Sequence, residues 1–246
     1  MPTDFDNEPL LRPAAAMAVY VQGYRNPKQP PGKLGGLAVA YESLFHFAFP
    51  QLLYHLALEK NLVNPLIPMK PSEMKEIVCK LFRNQRVYVF GARIGLEMDF
   101  LLAHKVKKVG GNTHGGEILA AAKALAPRGV ISGLPLAEAI LDRDFLKGGW
   151  TMGLSYNLLN LNRWADGPEG RGTVHSHNVS YEKLASGLLD ASATAKLKEL
   201  HIMPTCEESS PQFEGILTRH PRVSGWNSHA DERAIERGTT YHVRFK

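Results

Sequence analysis

Arg86-Val87-Tyr88-Val89-Phe90-Gly91-Ala92-Arg93-Ile94-Gly95 is the stretch on which the fold turns. Its first five residues are rich in β-branched and aromatic side chains and predict a strand. Gly91 and Gly95 bracket a turn, and the apolar run that follows to about His104 predicts a helix. Strand, glycine turn and helix in succession is how many phosphate sites are built. The spacing is not Gly-x-Gly-x-x-Gly, and no acidic residue of the dinucleotide-binding kind follows it.

Working outward, residues 110–116 read as a flexible glycine loop that opens a helix over 117–125. Another helix is expected from 136 to about 146, and residues 148–172 read as irregular. Upstream, residues 18–21 and 37–41 read as two strands of a hairpin, joined by a long Gly- and Pro-rich loop over 23–33. A long apolar helix is expected over 43–61 with a break or kink at Pro50. Ser72 is a good N-cap for a helix that ends at Phe82. In the last third, residues 173–177, 200–203 and 238–245 read as strands and 181–189 as a helix. The mixture predicts an α+β protein: a polar arm over 1–13, a mainly helical region with an N-terminal hairpin over 14–150, and a β-rich region over 151–246, all compatible with one continuous domain.

The chain has 246 residues, 44% of them hydrophobic and 22% charged. A chain of that length buries roughly 70–75% of its unfolded surface and needs no staple. Cys79 and Cys206 match no zinc or redox spacing. No stretch has the length of a membrane span, and the acidic, polar N-terminus does not read as a secretory signal. A cytoplasmic protein, or one exported without a signal peptide, is expected. The formal net charge of +5 is compatible with a polyanionic partner.

Three constellations carry candidate chemistry. Arg237-Gly238-Thr239-Thr240-Tyr241, with Glu232 before it, resembles the C-terminal end of mono-ADP-ribosyltransferase toxins of the Arg–Ser–Glu type. Glu232 falls on the second glutamate of that pattern and Ser228 near a serine that precedes it. Ser192-Ala193-Thr194 stands upstream, about where that family places its Ser-Thr-Ser motif. The resemblance implies an NAD-dependent enzyme acting on a protein or nucleic-acid target, with Glu232 and Ser192 catalytic and Arg171 and Ser228 holding NAD. The chain departs from the pattern at Ala230, at Ala193, and in lacking the arginine strand, for which Arg171 is the nearest substitute. A carboxylate beside the ribose stabilises the cation-like transition state of NAD cleavage.

In the second, His175 and His177 alternate on a predicted strand and so face the same way, as a metal requires. With Glu117 upstream and Ser186 and Asp190 downstream they resemble the metal motif of JAMM-type isopeptidases, with Asn178 where that family has proline. This implies a metal-dependent hydrolase using His175, His177 and Asp190. In the third, Arg25, Lys28 and Lys33, with Tyr20 and Tyr24, and the group Lys105, Lys107 and Lys108 suit a nucleic-acid-binding subunit of a nucleoprotein assembly, without catalysis or cofactor.

Overall fold

In the computed structural model, which describes residues 8–24, 34–142, 144–156, 181–204, 210–230 and 238–246, the predicted strand Arg86–Phe90 (β1) lies inside a seven-stranded sheet. The others are β2 (Lys108–Asn112), β3 (Val130–Ser132), β4 (Met152–Tyr156), β5 (Glu199–Met203), β6 (Val223–Ala230) and β7 (Thr239–Phe245), in the order β3-β2-β1-β4-β5-β7-β6. The first five strands are parallel. β7 runs antiparallel to β5 and pairs with β6, which carries a register shift between Val223 and Gly225. The chain thus winds outward from β1 to β3, returns to the other flank of β1 as β4, and winds outward again.

Parallel strands need crossovers, and helices supply them. The described helices are α1 (Pro13–Gly23), α2 (Gly35–Glu59) and α3 (Met74–Phe82) ahead of β1, α4 (Leu96–Ala103), α5 (Gly116–Leu125), α6 (Leu136–Ala139) and α7 (Tyr181–Thr194) in the crossovers between parallel strands, and α8 (Ser210–Arg219) before β6. Alternation along β1 sends Val87 and Val89 to one face and Tyr88 and Phe90 to the other. The valines join Phe45, Phe49, Leu52, Phe82 and Phe100 from α2, α3 and α4. The aromatic pair joins Leu184 and Leu188 of α7, Phe213 and Leu217 of α8, and Tyr241 and Val243 of β7. Both faces are covered, which is why central strands here are apolar throughout rather than alternating with polar residues.

The expected mixed α+β character is present, and the sheet draws strands from both the 14–150 and the 151–246 regions. Several local expectations are corrected. Residues 18–21 and 37–41 are helical, within α1 and α2, so there is no hairpin there. Pro13 at the first helical position and the alanines after it start α1 well. Burial of Ala16, Met17 and Val21 against the core then outweighs the strand propensity of Val19-Tyr20-Val21. The helix α2 begins earlier than expected and continues through Pro50.

Gly110 and Gly111 are not a loop but the middle of β2. A Cβ on Gly110 would lie 2.5 Å from the Trp150 ring, and one on Gly111 2.7 Å from Ala92 Cβ and 3.0 Å from the Val89 carbonyl oxygen. Glycine is there because the neighbours leave no room. The stretch read as irregular after Gly148 contains β4, which pairs with both β1 and β5.

Two phenylalanines of α2 separate core from surface. Phe49 is fully buried and Phe47 is 70% exposed. Phe49→Ala is expected to cost about 3–5 kcal/mol. Phe47→Ala is expected to stay within about 0.5 kcal/mol of the parent. Urea unfolding followed by circular dichroism measures both.

Candidate functional site

In an open parallel sheet, ligands bind outside the carboxyl ends of the strands where the winding direction reverses. Here that point lies between β1 and β4, where Phe90 leads into the Gly91–Gly95 turn and Tyr156 ends its strand. The turn takes its shape from three residues in the left-handed region, Gly91 (φ 71°), Arg93 (φ 47°) and Gly95 (φ 87°). Only glycine adopts that region without cost, so Arg93 is held there by its surroundings.

Those surroundings are specific. The end of β2 clamps the turn: Gly91 N–H donates to Asn112 Oδ1 at 3.0 Å and Ala92 N–H to the Asn112 carbonyl at 2.7 Å. Asn112 Nδ2 donates in turn to the Leu134 carbonyl at 3.2 Å, and Thr113 Oγ1 to the Arg93 carbonyl at 2.6 Å. Gly95 permits close approach of α5, since a Cβ there would lie 3.1 Å from the backbone of Ala122. The residue at the end of β2, where dinucleotide-binding sheets carry an acidic group for a ribose, is here the amide Asn112, and its side chain is already committed.

A buried polar cluster fills the crevice. The Arg93 guanidinium pairs with Glu97 Oε1, and the Tyr156 hydroxyl donates to the same oxygen. Arg93 Cζ stands 4.2 Å from the centre of the Tyr156 ring. Burial disfavours the arginine cation, but Tyr156 and Glu97 outweigh it and hold the guanidinium charged. Burial, aided by Glu97, pushes the Tyr156 hydroxyl well above its ordinary range, so it stays protonated. Arg93 Nε and Glu97 Oε2 are buried with no hydrogen-bond partner among the described residues. One donor and one acceptor are therefore left over on a buried ion pair at the crevice.

A second polar cluster lies at the other side of the sheet, under the last turns of α2. His55 Nδ1 is 2.8 Å from Thr240 Oγ1. Glu59 accepts from His242 Nδ1 at 2.6 Å, from His229 Nε2 at 2.9 Å and from Asn227 Nδ2 at 2.9 Å. Burial, reinforced by His229, pulls the His55 pKa down to about 3. Burial pushes the Glu59 carboxyl up, but the bonds from His229 and His242 outweigh it and hold it at about 2.

The residues expected from sequence fall elsewhere. Ser192 lies in α7, fully buried, its Oγ without a partner among the described residues. Ser228 is exposed on β6, and Asp190 is exposed on α7 near His220 and Arg222. Ser192 and Ser228 are thus on a helix and an outer strand rather than in the crevice. Glu232, Arg171, His175, His177, Arg25, Lys28 and Lys33 lie outside the described residues.

Lys105 and Lys107 are exposed, whereas Lys108 Nζ sits 4.3 Å over the Trp150 ring. Lys105 lines a cleft of about 470 Å³ with Ser72, Glu76, Cys79 and Arg83, near the amino ends of β1 and β2 and away from the crevice. The crevice residues that were not singled out, Glu97, Asn112 and Tyr156, had one usable signal. Glu97 follows the glycine turn at the spacing that puts it one helical turn from Arg93.

No protein-family profile matches the chain. No curated protein is recognisably similar to it in sequence. Among solved structures it is similar to magnesium protoporphyrin IX methyltransferase from Synechocystis PCC 6803 with bound SAM, at 11% identity and TM-score 0.49, over 95% of this chain and 98% of that one. It is also similar to a candidate RNA methyltransferase from Pyrococcus horikoshii, at 13% identity and TM-score 0.47, over 96% and 97%. A TehB-like SAM-dependent methyltransferase from Corynebacterium glutamicum matches at 14% identity and TM-score 0.45, over 67% and 82%.

These findings overturn the expected mono-ADP-ribosyltransferase toxin and its NAD cofactor: the chains it resembles are methyltransferases, one of them holding SAM. The alternatives, a nucleic-acid-binding assembly subunit and a His175/His177 metal-dependent hydrolase, fit no better. The physical reason lies in the sheet. The Arg237–Tyr241 match leads into β7, an antiparallel strand appended to a parallel core whose crevice is built by β1 and β4. No described helix is long and apolar enough to cross a membrane.

Two outcomes follow from the clusters. Glu97→Ala leaves a buried guanidinium unpaired and is expected to cost about 3–5 kcal/mol in urea unfolding, whereas Arg93→Met combined with Glu97→Leu recovers most of it. His55 and Glu59 both have folded pKa values below their usual 6.5 and 4.5. The unfolded chain therefore binds more protons than the folded one as the pH falls. Their stabilisation is complete above pH 6.5 for His55 and above 4.5 for Glu59, and is lost as pH falls toward about 3 and about 2. The urea midpoint is expected to drop between neutral and acidic buffer, and His55→Gln to flatten the upper part of that drop.

Proposed function

We propose that the chain binds S-adenosylmethionine at the carboxyl edge of β1 and β4 and passes its methyl group to a macromolecular acceptor. The observation that carries this reading is the placement of the left-handed Gly91–Gly95 turn at the point where the parallel sheet reverses its winding. That crevice suits an adenosine-bearing ligand. The leftover donor on Arg93 and acceptor on Glu97 add a chemical preference. An amino-acid zwitterion presents a carboxylate and an ammonium group together, and S-adenosylmethionine joins such a group to adenosine. Charge-assisted hydrogen bonds of this kind contribute about 1.5–3 kcal/mol each. The net charge of +5 suits a polyanionic acceptor such as nucleic acid.

A second reading rests on one observation. Arg93 is 4% exposed and Glu97 1%, so their pairing with Tyr156 occupies the crevice. In that reading the fold serves as a scaffold and binds no nucleoside.

Calorimetric titration of the full chain with S-adenosylmethionine, S-adenosylhomocysteine and NAD separates the two. The first reading expects heat from both sulfur ligands and none from NAD. It also expects Arg93→Met with Glu97→Leu, which keeps the crevice filled, to weaken binding by about 10- to 100-fold, the equivalent of roughly 1.4–2.8 kcal/mol. Absence of binding to either sulfur ligand by the unaltered chain overturns the first reading and supports the second.

A further inference from the structure

At the amino end of β5, three side chains from two strands converge. Glu199 and His201 alternate along β5 and therefore share a face. His242 of β7 is the register partner of His201, which puts it on that face too. His201 and His242 stack with ring centres 4.3 Å apart and planes 12° from parallel. His242 Nε2 lies 3.2 Å and His201 Nε2 3.5 Å from the same Glu199 oxygen, in ion-pair contact but out of line for a well-formed hydrogen bond. Both nitrogens are buried, His201 at 1% exposure and His242 at 6%. Two buried imidazole nitrogens converging on one carboxylate oxygen, neither well aligned to it, is a poor arrangement for a purely structural network.

We propose that Glu199, His201 and His242 form a binding site for a first-row divalent transition metal of the zinc type. One ligand atom from each residue lies within 4.8 Å of the others. Zinc takes imidazole nitrogen and carboxylate oxygen at about 2.0–2.2 Å in tetrahedral geometry, which puts neighbouring ligand atoms about 3.3–3.5 Å apart. The His201 separation of 3.5 Å falls in that range and the His242 separation of 3.2 Å lies just below it.

The tautomer is set as well. His242 Nδ1 donates to Glu59 Oε1 at 2.6 Å, which leaves Nε2 as the ring atom turned toward Glu199. A carboxylate behind a ligating histidine is the usual orienting arrangement at metal sites, and Glu59 is a positioning residue in that sense. The Lys60 ammonium pairs with Glu199 from the end of α2. Its side chain is 36% exposed, which gives it a path to solvent when a divalent cation takes its place. The site lies on the opposite edge of the sheet from the β1–β4 crevice and is independent of it.

The full chain, stripped with a chelator, is titrated with Zn²⁺ against a chromophoric competitor and, separately, with Co²⁺ in the visible range. One Zn²⁺ per chain, a rise in Tm on binding, and the ligand-field bands of four-coordinate Co²⁺ are expected. His201→Gln with His242→Gln is expected to weaken binding at least 100-fold, and Glu59→Gln by about 10- to 100-fold with the stoichiometry kept. His175→Gln with His177→Gln serves as the control and is expected to leave affinity unchanged. Affinity unchanged in the His201/His242 variant, or lost in the His175/His177 control, places the metal elsewhere and overturns the proposal. Should the His201/His242 variant fail to fold by circular dichroism, the unaltered chain decides: no Co²⁺ bands, or no Zn²⁺ bound, overturns it equally.

Discussion

The constraint behind this molecule is that β1 is apolar on both faces. Val87 and Val89 point one way, Tyr88 and Phe90 the other, and all four are 3% exposed or less. At about 25 cal/mol per Å² of apolar surface, leaving either face wet would cost several kcal/mol. A strand of this kind must be flanked by strands and covered by helices on both sides. The parallel neighbours β2 and β4, the helices of α1 to α4 on one face, and those of α7 and α8 on the other meet that demand. The crevice exists because the chain fills the two flanks of β1 in separate passes.

The same geometry concentrates polar groups at the sheet's two edges, and the two edges differ in kind. At the carboxyl edge, the backbone amides of Gly91 and Ala92 are tied to Asn112, the Thr113 hydroxyl donates to the Arg93 carbonyl, and a single ion pair sits over Tyr156. At the other edge, under α2, imidazoles and carboxylates form a wider network around Glu59 and Glu199. Packing density forces both clusters to be specific, because a buried polar atom without a partner costs free energy that apolar contacts elsewhere must offset.

Part of this was legible in the chain. β1 and β7 follow from β-branched and aromatic runs next to glycine, α4 from the apolar run after the glycine turn and β5 from a short apolar run, whereas α3 keeps the acidic first turn at Glu76 but is not capped by Ser72, which lies in a 3-10 turn ahead of it. β4 was not legible, because Met152-Gly153-Leu154-Ser155-Tyr156 lacks the β-branched signature. It is a strand because Gly153 lets Phe90 and Leu200 close over it, where a Cβ would lie 2.7 Å and 2.9 Å from them. The strand reading of Val19-Tyr20-Val21 failed for the converse reason: a favourable local propensity lost to helical burial. The histidine network was illegible because its partners are remote. Glu59 and His242 stand 183 positions apart, and only the register of β5 on β7 brings His201 to His242.

The outer strands of the sheet carry a last implication. β3 is only three residues long, and β6, the opposite margin, has a register shift near its start and polar side chains at Ser224, Asn227, Ser228 and His229. Short, bulged and polar margins offer poor templates for another chain's backbone. Growth of the sheet by stacking copies side to side is thereby discouraged.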